Sequence, residues 1–110
     1  KNLQETDPKI CELMERFNRI NLSDKTTWTN SSFIFARQLY NMFQLARVIT
    51  QGAYLRNESR GSHYKPEFPE RDDANFLKTT KAYFAADADE PRFEFEPVDT
   101  SLIAPRTRKY

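Results

Sequence analysis

The feature that most constrains this chain is a long run from Ser31 to Arg56 that contains no proline and a single glycine, Gly52. At 1.5 Å per residue, a helix over this run would be roughly 38 Å long. Its apolar positions occupy most of the helix circumference: Phe33, Ile34, Phe35, Ala36, Leu39, Tyr40, Met42, Phe43, Leu45, Ala46, Val48, Ile49, Ala53, Tyr54 and Leu55. A helix that is apolar on most sides is normally buried on several of them. The sequence therefore predicts a long helix with more than one packing partner.

A shorter amphipathic helix of about 13 residues is predicted before it. Asp7 is expected to be the N-cap and Pro8 the first helical residue, where the missing N–H costs nothing. Its apolar stripe can cover only one side of the long helix and consists of Ile10, Leu13, Met14, Phe17 and Ile20. The uncovered apolar surface implies another helix, another domain or another chain. Trp28 is expected to fasten the polar connection at 21–30 onto the helix pair.

The second half of the chain predicts shorter elements. Asp72 is a candidate N-cap, with Asp73 in the first turn of a short helix. Strands are expected at 79–86 and 92–96, joined by a turn at 87–91, and strict alternation places Phe93 and Phe95 on one strand face.

The predicted fold is mainly α, with an antiparallel helix pair or partial helical bundle followed by a short helix, a β-hairpin and an irregular basic tail. We expect a single domain with these parts: a helical hairpin at 1–56, a motif loop at 57–71, a short helix at 72–78, the β-hairpin at 79–97 and the tail at 98–110.

Composition excludes several classes of protein. The 110 residues contain 17 Lys and Arg against 16 Asp and Glu, which argues against a nucleic-acid or membrane-surface protein. No apolar run approaches the roughly 20 residues that span a bilayer, so direct membrane insertion is not expected. Cys11 is the only cysteine, and Gly52 and Gly61 are the only glycines. The sequence thus predicts no disulfide, no cysteine metal cluster and no glycine-rich nucleotide loop. A start without methionine suggests a fragment or a processed chain.

Candidates for chemistry cluster in the loop after the long helix. His63 is the only imidazole, and no nucleophile motif accompanies it. Four carboxylates could act in acid–base or metal chemistry: Glu67, Glu70, Asp72 and Asp73. Helix capping explains Asp72 and Asp73 better. Arg60 and Arg71 could bind a carboxylate substrate, but we prefer that they hold the loop to acidic groups on a neighbouring domain.

The loop also carries a recognisable motif. The residues are Glu58-Ser59-Arg60-Gly61-Ser62-His63, then Pro69-Glu70-Arg71-Asp72-Asp73, then Asn75-Phe76-Leu77-Lys78. This combination resembles the carboxy-terminal domain of the flavoprotein subunit of succinate dehydrogenase and fumarate reductase. The resemblance extends less sharply from about Asp7 to the end. Two alternatives stay open: the same domain of L-aspartate oxidase, and a free-standing helical interaction module.

The resemblance implies a parent enzyme that interconverts succinate and fumarate by hydride transfer with FAD. Electrons would pass to an iron–sulfur subunit and, through a membrane anchor, to quinone, at the cytoplasmic side of the inner membrane. FAD and substrate would be held by flavin and capping domains outside this chain. We therefore assign no catalytic, cofactor-binding or metal residue, and we expect a scaffold and interface role. The family-motif and interface candidates are Ser59, Arg60, Gly61, His63, Arg71 and Asp72.

Overall fold

A computed structural model describes residues 2–85 and 90–106. Its elements, in chain order, are α1 (Asn2–Phe17), α2 (Ser31–Leu55), α3 (Asp73–Phe76), β1 (Lys78–Tyr83) and β2 (Arg92–Pro97). The chain divides into two compact units, Lys1–Arg56 and Asn57–Tyr110. The predicted fold class, mainly α with a helix pair, a short helix and a β-hairpin, is confirmed.

Helices α1 and α2 pack antiparallel. Phe17, at the end of α1, lies with its ring centroid 5.9 Å from that of Tyr40 and 6.1 Å from that of Phe43. Asp7, nearer the start of α1, contacts Arg47 and Gln51, which lie further along α2. Since later residues of α1 meet earlier residues of α2, the two helices run in opposite directions. Phe17 therefore serves in packing, as the apolar stripe predicts.

The predicted start of the first helix was wrong. Helix α1 is already formed at Asn2 and continues through Pro8, so Asp7 is not an N-cap. Its carboxylate instead accepts hydrogen bonds from Arg47 and Gln51 of α2. A proline inside a helix lacks the N–H for one backbone hydrogen bond, and α1 tolerates this loss on its exposed side.

Hydrogen bonds within the connection 18–30 fix the start of α2. Asn30 is the N-cap, because its Oδ1 accepts from the Phe33 N–H at 2.9 Å, while its Nδ2 donates to the carbonyls of Asp24 and Thr26, each at 3.0 Å. The prediction for Trp28 was wrong, since this side chain is 85% exposed. The hydrogen bonds of Asn30, and not the Trp28 indole, join the connection to the first turn of α2.

The apolar surface of α2 is largely uncovered, as its composition predicts. Among the described residues, Ile10 on α1 is the one buried hydrophobic side chain. Large apolar side chains of α2 are exposed: Phe33, Ile34, Phe35, Tyr40, Met42, Leu45, Ile49, Tyr54 and Leu55. We call this set the α2 apolar face. None of the helices in the described part of the chain has the length and hydropathy needed to cross a membrane.

In the second unit, β1 and β2 form a two-stranded antiparallel sheet. Its register pairs Thr80 with Phe95 and Ala82 with Phe93, which confirms the hairpin and places both phenylalanines on one face. The Phe95 ring lies edge-on to that of Phe76 in α3, at 6.4 Å between centroids. The hairpin therefore packs its apolar face on the short helix.

Several element boundaries differ from the prediction. Helix α3 ends at Phe76 and not at 78, because Leu77 leaves the helical conformation and its carbonyl accepts from the Val98 N–H at 3.3 Å. Strand β1 begins one residue early and ends at Tyr83, while β2 runs one residue longer than expected. Most of the predicted turn at 87–91, and the last four residues of the tail, lie outside the described residues.

Candidate functional site

The motif loop reverses direction at Gly61. Arg60 and His63 exchange backbone hydrogen bonds, with Arg60 N to His63 O at 2.8 Å and His63 N to Arg60 O at 3.0 Å. Gly61 sits between them with a φ of +60°, in the left-handed region that side chains with a Cβ disfavour. Glycine is therefore the residue that this narrow turn favours.

Glu58 is the buried centre of the loop, with no exposed surface. Arg60 donates to it through Nε to Oε1 at 2.8 Å and Nη2 to Oε2 at 2.9 Å. The backbone N–H of Asp72 donates to the same Oε2 at 3.0 Å. A buried carboxylate is stable only when it is paired and hydrogen-bonded in this way.

The ion pairs continue outward from Glu58. Arg60 Nη2 also donates to Asp73 Oδ1 at 2.7 Å, and Arg71 Nη2 donates to Asp73 Oδ2 at 2.6 Å. Charges thus alternate in the order Glu58, Arg60, Asp73, Arg71, and we call these four residues the charge ladder. Arg71 further donates from Nη1 to the carbonyl of Arg106 at 2.9 Å.

Within the ladder, the pKa values of Arg60 and Asp73 are shifted toward the charged forms. The hydrogen bond with Glu58, and that with Asp73, raise the pKa of Arg60 further above its ordinary value despite partial burial. The hydrogen bond from Arg60 lowers the pKa of Asp73, and Arg71 adds to this effect. Hydrogen bonds from the side chain and N–H of Asn75 lower the pKa of Asp72, the N-cap of α3. Arg60, Asp72 and Asp73 are therefore charged near neutral pH.

Ser59 joins the two sides of the loop. Its Oγ donates to the Phe68 carbonyl at 2.7 Å and accepts from the Lys65 N–H at 3.0 Å, and its backbone N–H donates to the Glu70 carbonyl at 3.1 Å. Lys65 in turn donates from Nζ to Asn57 Oδ1 at 2.8 Å. The loop is consequently closed by hydrogen bonds along its whole length.

The structure brings the predicted motif residues together. Ser59, Arg60, Gly61, Arg71 and Asp72 all belong to one hydrogen-bonded loop, and the half-buried His63 supports its turn through the backbone. Within this chain, Arg60 pairs with Glu58 and Asp73, and Arg71 pairs with Asp73. That the two arginines also hold the loop to acidic groups on a neighbouring domain stays a prediction.

The sequence reasoning missed the central role of Glu58. Glu58 was considered only as part of the family motif, and Asp73 only as an acidic residue in the first turn of the short helix. The signal that could have found them is the order of charges, with an acid two residues before Arg60 and another two residues after Arg71.

The arrangement serves rigidity better than catalysis. Both carboxylates of the ladder are occupied by arginines, and among the described residues no three His, Cys, Asp or Glu side chains are grouped to hold a metal ion. The residues also do not fit a flavin nucleotide, because neither of the two glycines stands in a glycine-rich loop that could approach a pyrophosphate.

A second buried charge lies in the first unit. The Arg47 side chain is 8% exposed and donates to Asp7 through Nε to Oδ1 at 3.1 Å and Nη2 to Oδ2 at 3.3 Å. Gln51 donates from Nε2 to the same Oδ2 at 2.9 Å. Burial raises the pKa of Asp7, but the hydrogen bonds from Arg47 and Gln51 outweigh it, so the net pKa is lowered. This cluster fixes how α1 lies along α2.

The chain therefore combines a helix pair that has an uncovered apolar face with an arginine–carboxylate loop and a hairpin, and it contains no glycine-rich nucleotide loop. The whole chain, residues 1–110, matches the family described as fumarate reductase flavoprotein C-term. The chain belongs to this family.

Individual relatives agree. The chain is 58% identical over 108 residues to the succinate dehydrogenase flavoprotein subunit of Bacillus subtilis, covering 98% of this chain and 18% of that protein. It is 36% identical over 109 residues to the fumarate reductase flavoprotein subunit of Haemophilus influenzae, covering 99% of this chain and 18% of that protein.

A solved structure of quinol fumarate reductase from E. coli superimposes with a TM-score of 0.86 at 34% identity, over 96% of this chain and 18% of that one. A second structure, of quinol-fumarate reductase with menaquinol molecules, gives a TM-score of 0.84 at 34% identity, over 94% of this chain and 18% of that one. The chain thus spans about a fifth of the length of the relatives it matches.

Proposed function

We propose that this chain is the carboxy-terminal scaffold and interface domain of a succinate dehydrogenase or fumarate reductase flavoprotein subunit. The parent enzyme would interconvert succinate and fumarate by hydride transfer with FAD. The observation that carries the proposal is the 58% identity over nearly the whole chain to a succinate dehydrogenase flavoprotein subunit. That value exceeds the 36% found for a fumarate reductase subunit, and therefore favours succinate dehydrogenase of the two.

The α2 apolar face supports an interface role. Ile49 is 70% exposed, Leu45 62%, and Phe35 57%, and surface of this kind on one helix is more than isolated exposed residues explain. In the parent subunit, the flavin and capping domains would cover it. The charge ladder would hold the second unit rigid against the same neighbours.

Cofactor, partners and location follow from this assignment. FAD would be bound by domains outside residues 1–110, because the glycines of this chain form no site for it. The iron–sulfur subunit and a membrane anchor would be the further partners, and they would hold the parent subunit at the cytoplasmic side of the inner membrane.

The test uses the chain and the native subunit side by side. The 110-residue chain should retain no flavin absorbance after dialysis and should not oxidise succinate with an artificial electron acceptor. The native subunit, obtained from the complete gene, should carry FAD and should oxidise succinate with the same acceptor. Flavin bound to the chain alone, or a native subunit without FAD and activity, would overturn the proposal.

Two alternatives are separated by simple measurements. The first alternative is the same domain of an L-aspartate oxidase. The relatives named as succinate dehydrogenase and fumarate reductase subunits do not favour this alternative, and co-purification of an iron–sulfur subunit with the native protein would exclude it. A native mass near 13.0 kDa would instead support a free-standing interaction module.

A further inference from the structure

The segment at residues 98–106 is held at both of its ends. The Val98 N–H donates to the Leu77 carbonyl at 3.3 Å, and the Arg106 carbonyl accepts from Arg71 Nη1 at 2.9 Å. Between these points, Asp99 Oδ1 accepts from the Ser101 N–H at 2.9 Å. The segment is therefore a tethered loop with an internal turn.

The middle of this loop presents two neighbouring apolar side chains. Leu102 is 94% exposed and Ile103 is 79% exposed, and we call this pair the apolar tip. Loops of this kind are normally polar at their most exposed point. Tethering limits the conformational entropy that the loop would lose on docking, so the tip is prepared for contact with another surface.

The charge ladder positions the tip. Arg71, its outermost member, donates to both Asp73 and the Arg106 carbonyl. The carboxylate of Asp73 is in turn fixed by Arg60 on the buried Glu58. The position of the loop thus depends on the same ion pairs that hold the motif.

The geometry points to an apolar docking contact in which Leu102 and Ile103 insert into a pocket on the part of the same polypeptide that precedes Lys1. This inference rests on the proposed function. It is supported by the length of chain outside the structure, because residues 1–110 align with 18% of the relatives and match a carboxy-terminal family. The tip itself carries no charge, and Asp99 is occupied by its own turn, so an apolar pocket fits it better than a charged surface.

The test places a photoreactive benzophenone side chain at position 102 of the full-length, FAD-containing subunit, purified without its partner subunits. We expect a cross-link within the subunit to a peptide that precedes Lys1. The same probe at Glu12, on the exposed side of α1, should give at least about fivefold less product. With Arg71→Gln the yield at position 102 should fall several-fold, because the tether to Arg106 is lost.

A second measurement does not depend on the probe. Leu102→Asp should lower the melting temperature of the subunit by about 2–4 °C, whereas Leu102→Met and the charge control Thr100→Asp should leave it unchanged. An active, FAD-containing subunit with no cross-link, or with cross-links only inside residues 1–110 or only to an added partner subunit, would overturn the docking contact alone. A subunit without FAD and activity would overturn the proposed function, and this inference with it.

Discussion

Arg60 donates two nearly parallel hydrogen bonds to the buried carboxylate of Glu58, with Nε to Oε1 at 2.8 Å and Nη2 to Oε2 at 2.9 Å. This geometry matches the planar fork of a guanidinium to both oxygens of one carboxylate. The pair closes the motif loop around Gly61 and provides the support for Asp73 and Arg71.

Removing the guanidinium should destabilise the chain strongly. Arg60→Ala removes the guanidinium that bonds both oxygens of the buried Glu58 carboxylate, and we expect a loss of about 3–5 kcal/mol in unfolding free energy, measured by urea denaturation at pH 7. In the full-length subunit the melting temperature should fall while the Michaelis constant for succinate changes little.

Two controls define the cause. Arg92→Ala removes a far more exposed ion pair with Glu94 and should cost less than about 1 kcal/mol. The double variant with Glu58→Ala should lose clearly less than the sum of the two single losses. Additive losses, or a large rise in the Michaelis constant with normal melting, would show that the pair does not act as described.

Asp7 should give the helix pair an acid-dependent stability. Its pKa is lowered in the folded chain from an ordinary value of 3.8. Its contribution is therefore complete above that ordinary value and is lost as the pH falls through the lower, folded-state pKa. Asp7→Asn should reduce the unfolding free energy at pH 7 by about 1–3 kcal/mol, and the difference from the wild type should shrink as the pH falls below the ordinary carboxylate value of 3.8.

The control for Asp7 is Glu12→Gln, which removes a carboxylate from the exposed side of α1. It should leave the unfolding free energy at pH 7 within about 0.5 kcal/mol of the wild type. A pH-independent difference between Asp7→Asn and the wild type would show that the Arg47 pair does not titrate with folding.

Substituting Gly61 should lower stability because of the backbone conformation at this position and not because of a steric clash. An added Cβ meets no heavy atom within 4 Å, so the cost of Gly61→Ala is the left-handed backbone, about 1–2 kcal/mol. Gly61→Asn should cost less and Gly61→Val more. Thr29, at a φ of +50°, offers a reciprocal case, because Thr29→Gly should change stability in the opposite direction. Equal midpoints for the alanine, asparagine and valine variants in urea would contradict this account.

The α2 apolar face should make the 110-residue chain self-associate or bind a hydrophobic dye. Replacing Leu45 and Ile49 by glutamine should reduce dye fluorescence at least about twofold, since both side chains are more than half exposed. The same exchange at Ile10, which is buried, should instead unfold the chain. Strictly monomeric chain with no dye binding, seen by analytical ultracentrifugation and fluorescence, would argue against an interface on this helix.

Sequence predicted what is set by local rules. The length of α2, the cap at Asp72 and the alternation around Phe93 depend on neighbouring residues, and each was correct. Asp7 was misassigned because its carboxylate contacts Arg47 and Gln51, which lie 40 and 44 residues further along the chain and are not found by a local rule. The exposure of Trp28 has no structural explanation. Glu58 was missed because burial of a carboxylate is decided by the folded loop and leaves no trace in periodicity.

The spacing of the Glu58 contacts has a consequence for synthesis on the ribosome. The contact of Asp7 with Gln51 in the helix pair can form once the chain has been made up to Gln51. The ion pairs of Glu58, Arg60 and Asp73 can form once it has been made up to Asp73. At translation rates of about 5–20 residues per second, the loop can close about 1–4 s after the helix pair has been made. The ion pairs of the motif loop can therefore form before the strands β1 and β2 have been made.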